Sequence, residues 1–206
     1  STTQVAALTA AEVGTLAAKF STTQLGALTT AQASGLSTTV LTSLSTAQLQ
    51  ALSTKEIAAL TTTQAQALGS TQTGGLTSSQ AGVLQGEDLA KLSSTALREI
   101  TTSAFANLSA GAIQSLSSAQ VGTLKSEQVT ALTTAQALAL GTQQAVGLSS
   151  SQASSVEGVD LAKVTTTALK ALTTDAVANL STGAVTSLSV AQFGALDASQ
   201  VTALTT

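Results

Sequence analysis

The chain has 206 residues, of which 8% are charged and 1% aromatic, with a net charge of −3 and no Cys, His, Met, Trp, Tyr or Pro. Those absences exclude disulfides, thiol chemistry, zinc sites of the usual kind and His- or Cys-based catalytic triads. The lack of a Lys/Arg stripe argues against a nucleic-acid surface and against charge-driven binding to anionic membrane.

Ser and Thr are abundant, which would suit disorder. Yet 43% of the residues are apolar and they are regularly placed, so burial is available to offset ordering. Polar residues interrupt every apolar run before it could span a bilayer, and no signal peptide is visible.

Residues 1–8 and 9–16 read STTQVAAL and TAAEVGTL, two eight-residue units ending at Leu8 and Leu16. Four extra residues, Ala17 to Phe20, separate them from the later phase. From Phe20 onward an apolar residue returns every eighth place, from Leu28 through Leu204, with Ile100, Val156 and Val164 standing in for Leu. A second apolar site lies five residues after each, as at Leu25, Leu49, Ile57, Phe105 and Val177, and Thr73 is its one polar occupant. The unit is Leu-Ser/Thr-x-x-Gln-apolar-x-small.

An uninterrupted helix does not suit this period. Eight residues turn about 800°, roughly 80° beyond two turns, so the Leu series would wander off one face, and the period is not the 3.5 of a heptad coiled coil. Short helices fit. With Ser45 as N-cap, Gln48 stands at N3 to complete a capping box, and Leu44 and Leu49 occupy the N′ and N4 places of a hydrophobic staple. Twelve of the 25 octads have Ser or Thr first and Gln or Glu fourth.

Such helices are not stable alone. Ordering eight residues costs on the order of 12 kcal/mol, and two buried Leu-sized side chains return roughly 3–6 kcal/mol. Octads must therefore pack on one another. The expected fold is an all-α solenoid of very short capped helices. A β-solenoid with Leu inside and a Thr ladder outside remains open, since Thr, Val and Ile favour strands. Ala, Gln and Leu favour the helical form.

A longer period overlies the octad. Residues 61–132 match 133–204 without a gap at 43 of 72 positions. GEDLAK at 86–91 matches GVDLAK at 158–163, and ANLSAGA at 106–112 matches ANLSTGA at 178–184. Ala replaces Gln at 96, 104 and 112 and again at 168, 176 and 184. These triplets read as a thicker packed side or a corner of the superhelix. Residues 1–206 read as one continuous repeat domain. Ser1 enters inside the repeat and no polar capping unit marks either end, which suggests a segment of a longer array or a subunit that joins end to end.

Chemistry-bearing residues are sparse. No catalytic, cofactor-binding or metal-ligating residue is expected. Asp88 and Asp160, beside Glu87 and Glu157, read as first-turn or cap acids rather than a calcium loop. Lys91 and Lys163 read as solvated, and Gly74-Gly75 as a turn rather than a phosphate loop. Asn107-Leu108-Ser109 and Asn179-Leu180-Ser181 have the form of glycosylation sequons.

The runs LTTAQ at 28–32, LSTAQ at 44–48, LTTTQ at 60–64 and LTTAQ at 132–136 resemble tracts of very large secreted or surface proteins of bacteria, some labelled as adhesins or haem-utilisation proteins. The resemblance implies an extracellular spacer, stalk or filament partnered by repeats of its own kind, and possible contact with cell-surface or matrix components. It does not extend to haem binding here, since no His, Cys, Met or Tyr exists to ligate iron. A second expectation from the Ser/Thr array is a weakly polar face that binds glycans or ice.

Overall fold

The computed structural model describes residues 1–204. They form 25 α-helices of four to seven residues and one 3₁₀ helix, Ala17–Lys19, and no strand occurs among the described residues. The helical form of the repeat is therefore the one adopted.

Each helix starts where the sequence places its cap. Ser45 Oγ accepts from the Gln48 N–H at 3.3 Å, and Gln48 Oε1 accepts from the Ser45 N–H at 3.0 Å. Together these satisfy two of the donors that a helix start leaves orphaned. Helices end without any left-handed residue, as no positive φ occurs among the described residues. Instead the chain straightens at the apolar residue that closes the octad. Leu44, with φ −66° and ψ 133°, ends one helix and is the N′ residue of the next, Thr46–Gln50.

The chain divides into two compact units, Ser1–Ser109 and Ala110–Thr206. In the first, from Thr22 onward, a helix packs on the one three octads later: Thr22–Leu25 on Thr46–Gln50, Thr30–Ser34 on Thr54–Ala58, Thr38–Ser43 on Thr62–Ala67. Three octads, 24 residues, thus make one coil with one helix per side. The second unit follows the same rule, with Ala110–Gln114 on Thr134–Ala139 and Thr142–Gly147 on Thr166–Lys170. The 72-residue sequence period is three times this 24-residue coil.

This arithmetic revises two expectations. Ala17 to Phe20 is not an insertion. The 3₁₀ helix Ala17–Lys19 packs against Thr38–Ser43, the helix that a full third side would meet, so these four residues are a shortened side of the first coil. Leu16, which leads into it, is left 41% exposed. Nor are the Ala triplets a side or a corner. Residues 165–188 are one whole coil, and residues 93–108 supply two successive sides, packed on Ser70–Gly74 and Ser78–Ala81.

The core holds the N4 residues and most of the closing Leu series. Leu25, Leu49, Leu89, Leu97, Phe105 and Leu169 are fully buried at N4, and Leu44, Leu52, Leu68 and Leu116 nearly so at the octad ends. Phe193 is the exception at N4, 46% exposed. Coils come close where side chains are absent. A Cβ on Gly35 would fall 2.5 Å from the Ala10 Cβ, and one on Gly147 would fall 2.3 Å from the Ser118 carbonyl oxygen.

Candidate functional site

The arrangement that repeats most faithfully is not a pocket but a polar joint between coils, built on the fourth residue of the octad. Among the described residues every buried polar or charged side chain occupies that N3 place, with the single exception of Thr73. The capping box uses only the amide oxygen of an N3 Gln. Its amide nitrogen points the other way, into the preceding coil.

In the first unit Gln80 Nε2 donates to the carbonyls of Leu49 and Leu52, both at 2.8 Å. Gln72 reaches Thr42 and Leu44, both at 3.0 Å, and Gln64 reaches Leu36 at 2.6 Å and Ala33 at 3.1 Å. In the second unit Gln152 reaches Val121 at 2.8 Å and Leu124 at 2.7 Å, and Gln192 reaches Leu161 at 3.0 Å and Val164 at 2.8 Å. Gln144 and Gln200 bond Leu116 and Leu172 at 2.6 and 2.8 Å. The acceptor 28 residues back is the apolar residue that closes an octad, whose backbone has left the helix and has an unused oxygen. Gln32 bonds Leu8 instead, only 24 residues back, which is the four-residue shortfall of the side at 17–20.

Each such Gln therefore does three jobs. It starts its helix, seals the cap and fastens its coil to the one before. The cap half survives variation at the first octad place. Gly69 and Gly141 have no side chain to accept a bond, yet their N–H groups still donate to Gln72 and Gln144 Oε1 at 3.2 and 3.0 Å. Thr73, buried at an N4 place, satisfies its hydroxyl by donating to the Ala96 carbonyl at 2.7 Å, a further bond between coils.

In the coil at 165–188 the N3 residue is Ala on all three sides. Its caps stand, since Thr165, Thr173 and Ser181 accept from the N–H groups of Ala168, Ala176 and Ala184, but no amide is available to reach back. Close backbone approach takes over. A Cβ on Gly158 would lie 2.8 Å from the Gly183 carbonyl oxygen.

Three N3 places hold buried acids. Glu56, Asp88 and Asp160 are 2%, 5% and 7% exposed. Asp88 and Asp160 are first-turn acids, as the sequence implies, but they face inward rather than to solvent. Burial is the first cause that raises all three carboxyls above their ordinary range. For Asp88, bonds from the Gln85 N–H and the Thr62 hydroxyl pull the other way, and Glu87 adds to the rise. For Asp160, Glu157 adds to the rise and the Thr134 hydroxyl, 3.5 Å away, opposes it. Asp is one methylene shorter than Gln. Beside Asp160 lies a cavity of about 20 Å³, lined also by Val129, Leu132, Ala137, Leu161 and Val164, room for about one water.

Glu12 makes the same capping box at an exposed N3 place. There the Thr9 N–H, donating at 2.8 Å, is the first cause that lowers its carboxyl. One motif yields opposite shifts according to whether a coil lies over it.

The remaining residues singled out by sequence lie apart from this joint. Lys91, Lys163, Glu87 and Glu157 are exposed. Gly74 closes the helix Ser70–Gly74 and Gly75 forms the turn that follows it. Asn107 and Asn179 are exposed, and their side-chain N–H groups donate to the carbonyls of Ser103 and Asp175 at 2.8 Å. Among the described residues no three His, Cys, Asp or Glu gather as a metal ion would require, and no helix is long and apolar enough to cross a membrane.

Octads that cap, bury and fasten in this way define a helical solenoid repeat protein. The ALTTAQ repeat family model matches residues 34–62, 41–78 and 105–134, so the chain is similar to that family over part of its length. The hexapeptide itself stands at 27–32 and 131–136, where it supplies the residues from before the cap through the N3 Gln. No curated protein matches the chain.

Proposed function

We propose that this chain is a structural extracellular repeat protein, part of a filament, stalk or spacer on a bacterial surface, and not an enzyme. The observation that carries the reading is the glutamine joint. The buried polar side chains of the repeat are spent on fastening one coil to the next, which suits a molecule whose work is extension. The resemblance of its LTTAQ runs to tracts of large surface proteins and the partial ALTTAQ match support the same reading. In this account residues 1–206 form one continuous repeat domain, the partners are further repeats of the same kind, joined covalently or end to end, and no cofactor takes part.

Electron microscopy of native material, with the mass of the intact denatured chain, tests this. Rods on or shed from the cell surface, with axial density repeating at the coil or the three-coil block, are the expected result. A compact intracellular monomer of about 20 kDa would overturn it. Retention on a glycan array or thermal hysteresis, without rods, would favour a binding module instead.

A further inference from the structure

Glu56 occupies a place built for an amide. Its Oε2 accepts from the Ser53 N–H, the role that Oε1 plays in every Gln box of the first unit. Its second oxygen then falls where a Gln carries Nε2. In Gln64 and Gln80 the donors reach 28 and 31 residues back; the same register from Glu56 leads to the carbonyls of Leu28 and Leu25. An ionised carboxylate has no hydrogen to place between itself and those oxygens, whereas a carboxylic acid has one.

We propose that Glu56 is a protonation-dependent junction between coils: as the neutral acid it donates to the preceding coil as the glutamines do, and as the carboxylate it leaves that junction unbonded. Among the described residues, the helices around it bring no charge to it. The helices packed on Thr54–Ala58 from the adjacent coils, Thr30–Ser34 and Ser78–Ala81, carry no ionisable residue. Neither do Thr22–Leu25, Thr46–Gln50 and Thr62–Ala67 around it, and Lys55 on its own helix is exposed. The upward displacement of the Glu56 carboxyl by burial agrees in sign. A carboxyl that holds its proton more tightly when folded stabilises the fold fully below the unfolded value, and that stability is lost as pH rises through the folded one.

The test uses the full 206-residue chain, an E56Q variant and an E12Q control. Side-chain carboxyl NMR should give Glu56 a titration midpoint above that of Glu12. The E56Q chain should melt at higher temperature than the wild type near neutral pH, with the gap closing as pH falls through the Glu56 midpoint, while E12Q shows no such convergence. A Glu56 midpoint at or below that of Glu12, or a wild-type–E56Q gap independent of pH, overturns the proposal. Should E56Q fail to fold, the wild-type titration alone decides.

Discussion

Gln152 Nε2 donates to the carbonyl oxygen of Leu124 at 2.7 Å, across 28 residues of chain. The same amide group accepts from the Ser149 N–H at 2.8 Å through its oxygen. A local capping motif and a long-range joint thus share one side chain, so disturbing either end disturbs both.

Removing that side chain should cost more than a lost cap. Gln152→Ala leaves the buried carbonyl of Leu124 without a donor, a penalty of about 1–3 kcal/mol, while the Val121 carbonyl keeps its bond from the Leu124 N–H at 3.0 Å. Gln152→Glu keeps the box and loses only the donor, so its loss should be smaller in acid than at neutral pH. Urea unfolding of the two variants at both pH values measures this. Equal losses at both pH values for the Glu variant would separate the amide from the joint.

The closing Leu series can be tested at Leu116, which is 1% exposed. Leu116→Ala should cost about 2–4 kcal/mol through the cavity it leaves. Gln114→Ala, exposed on the same octad, should stay within about 0.5 kcal/mol. Thermal or denaturant unfolding distinguishes them.

Two glycines should respond in opposite directions. Gly147→Ala places a methyl 2.3 Å from the Ser118 carbonyl oxygen, a backbone atom that cannot swing aside. The expected overpacking cost of about 1–3 kcal/mol outweighs the gain in helix propensity of up to about 1 kcal/mol. Gly194 lies within the helix Val190–Ala195 and has nothing within 4 Å of its added Cβ. Gly194→Ala should therefore stabilise by roughly 0.5–1 kcal/mol. Melting of the two single variants gives the comparison.

Asp160→Gln should convert a shortened joint into a full one. The longer side chain would fill the cavity and bring a donor toward the carbonyls 28 and 31 residues back, Leu132 and Val129. Burial raises the Asp160 carboxyl, so its contribution to wild-type stability is present in acid and lost as pH rises. The variant should gain about 1 kcal/mol near neutral pH and less in acid, read from unfolding across pH. A loss at neutral pH would show that the site cannot accept the added length.

How much of this is legible in the sequence depends on the range of the interaction. The box at Ser45 and Gln48 and the staple of Leu44 with Leu49 are local, and spacing alone reveals them. Three octads per coil is not local. It depends on the bend at each closing Leu, which the eight-residue period does not encode, and so Ala17 to Phe20 look like an addition when they are a shortened side. The joint is missed for a different reason. Gln and Glu serve a capping box equally well, so the box gives no cause to look at the nitrogen. The signal was present in the bias of the fourth place, Gln in fourteen octads against Glu in two. A cap alone does not demand that bias, and a donor to the preceding coil does. The Ala triplets become interpretable only once 24 residues are known to close a coil.

The glutamine joint itself is open to direct measurement by hydrogen exchange of side-chain amide protons, followed by NMR on the intact chain. Gln80 and Gln152 are buried and bonded on both sides, whereas Gln66 and Gln143 are exposed. The account predicts that the Nε2 protons of Gln80 and Gln152 exchange orders of magnitude more slowly than those of Gln66 and Gln143, with protection that tracks the global stability of the fold. Exchange at the same rate in all four would contradict it, placing the amides in solvent and leaving the coils held by apolar packing alone.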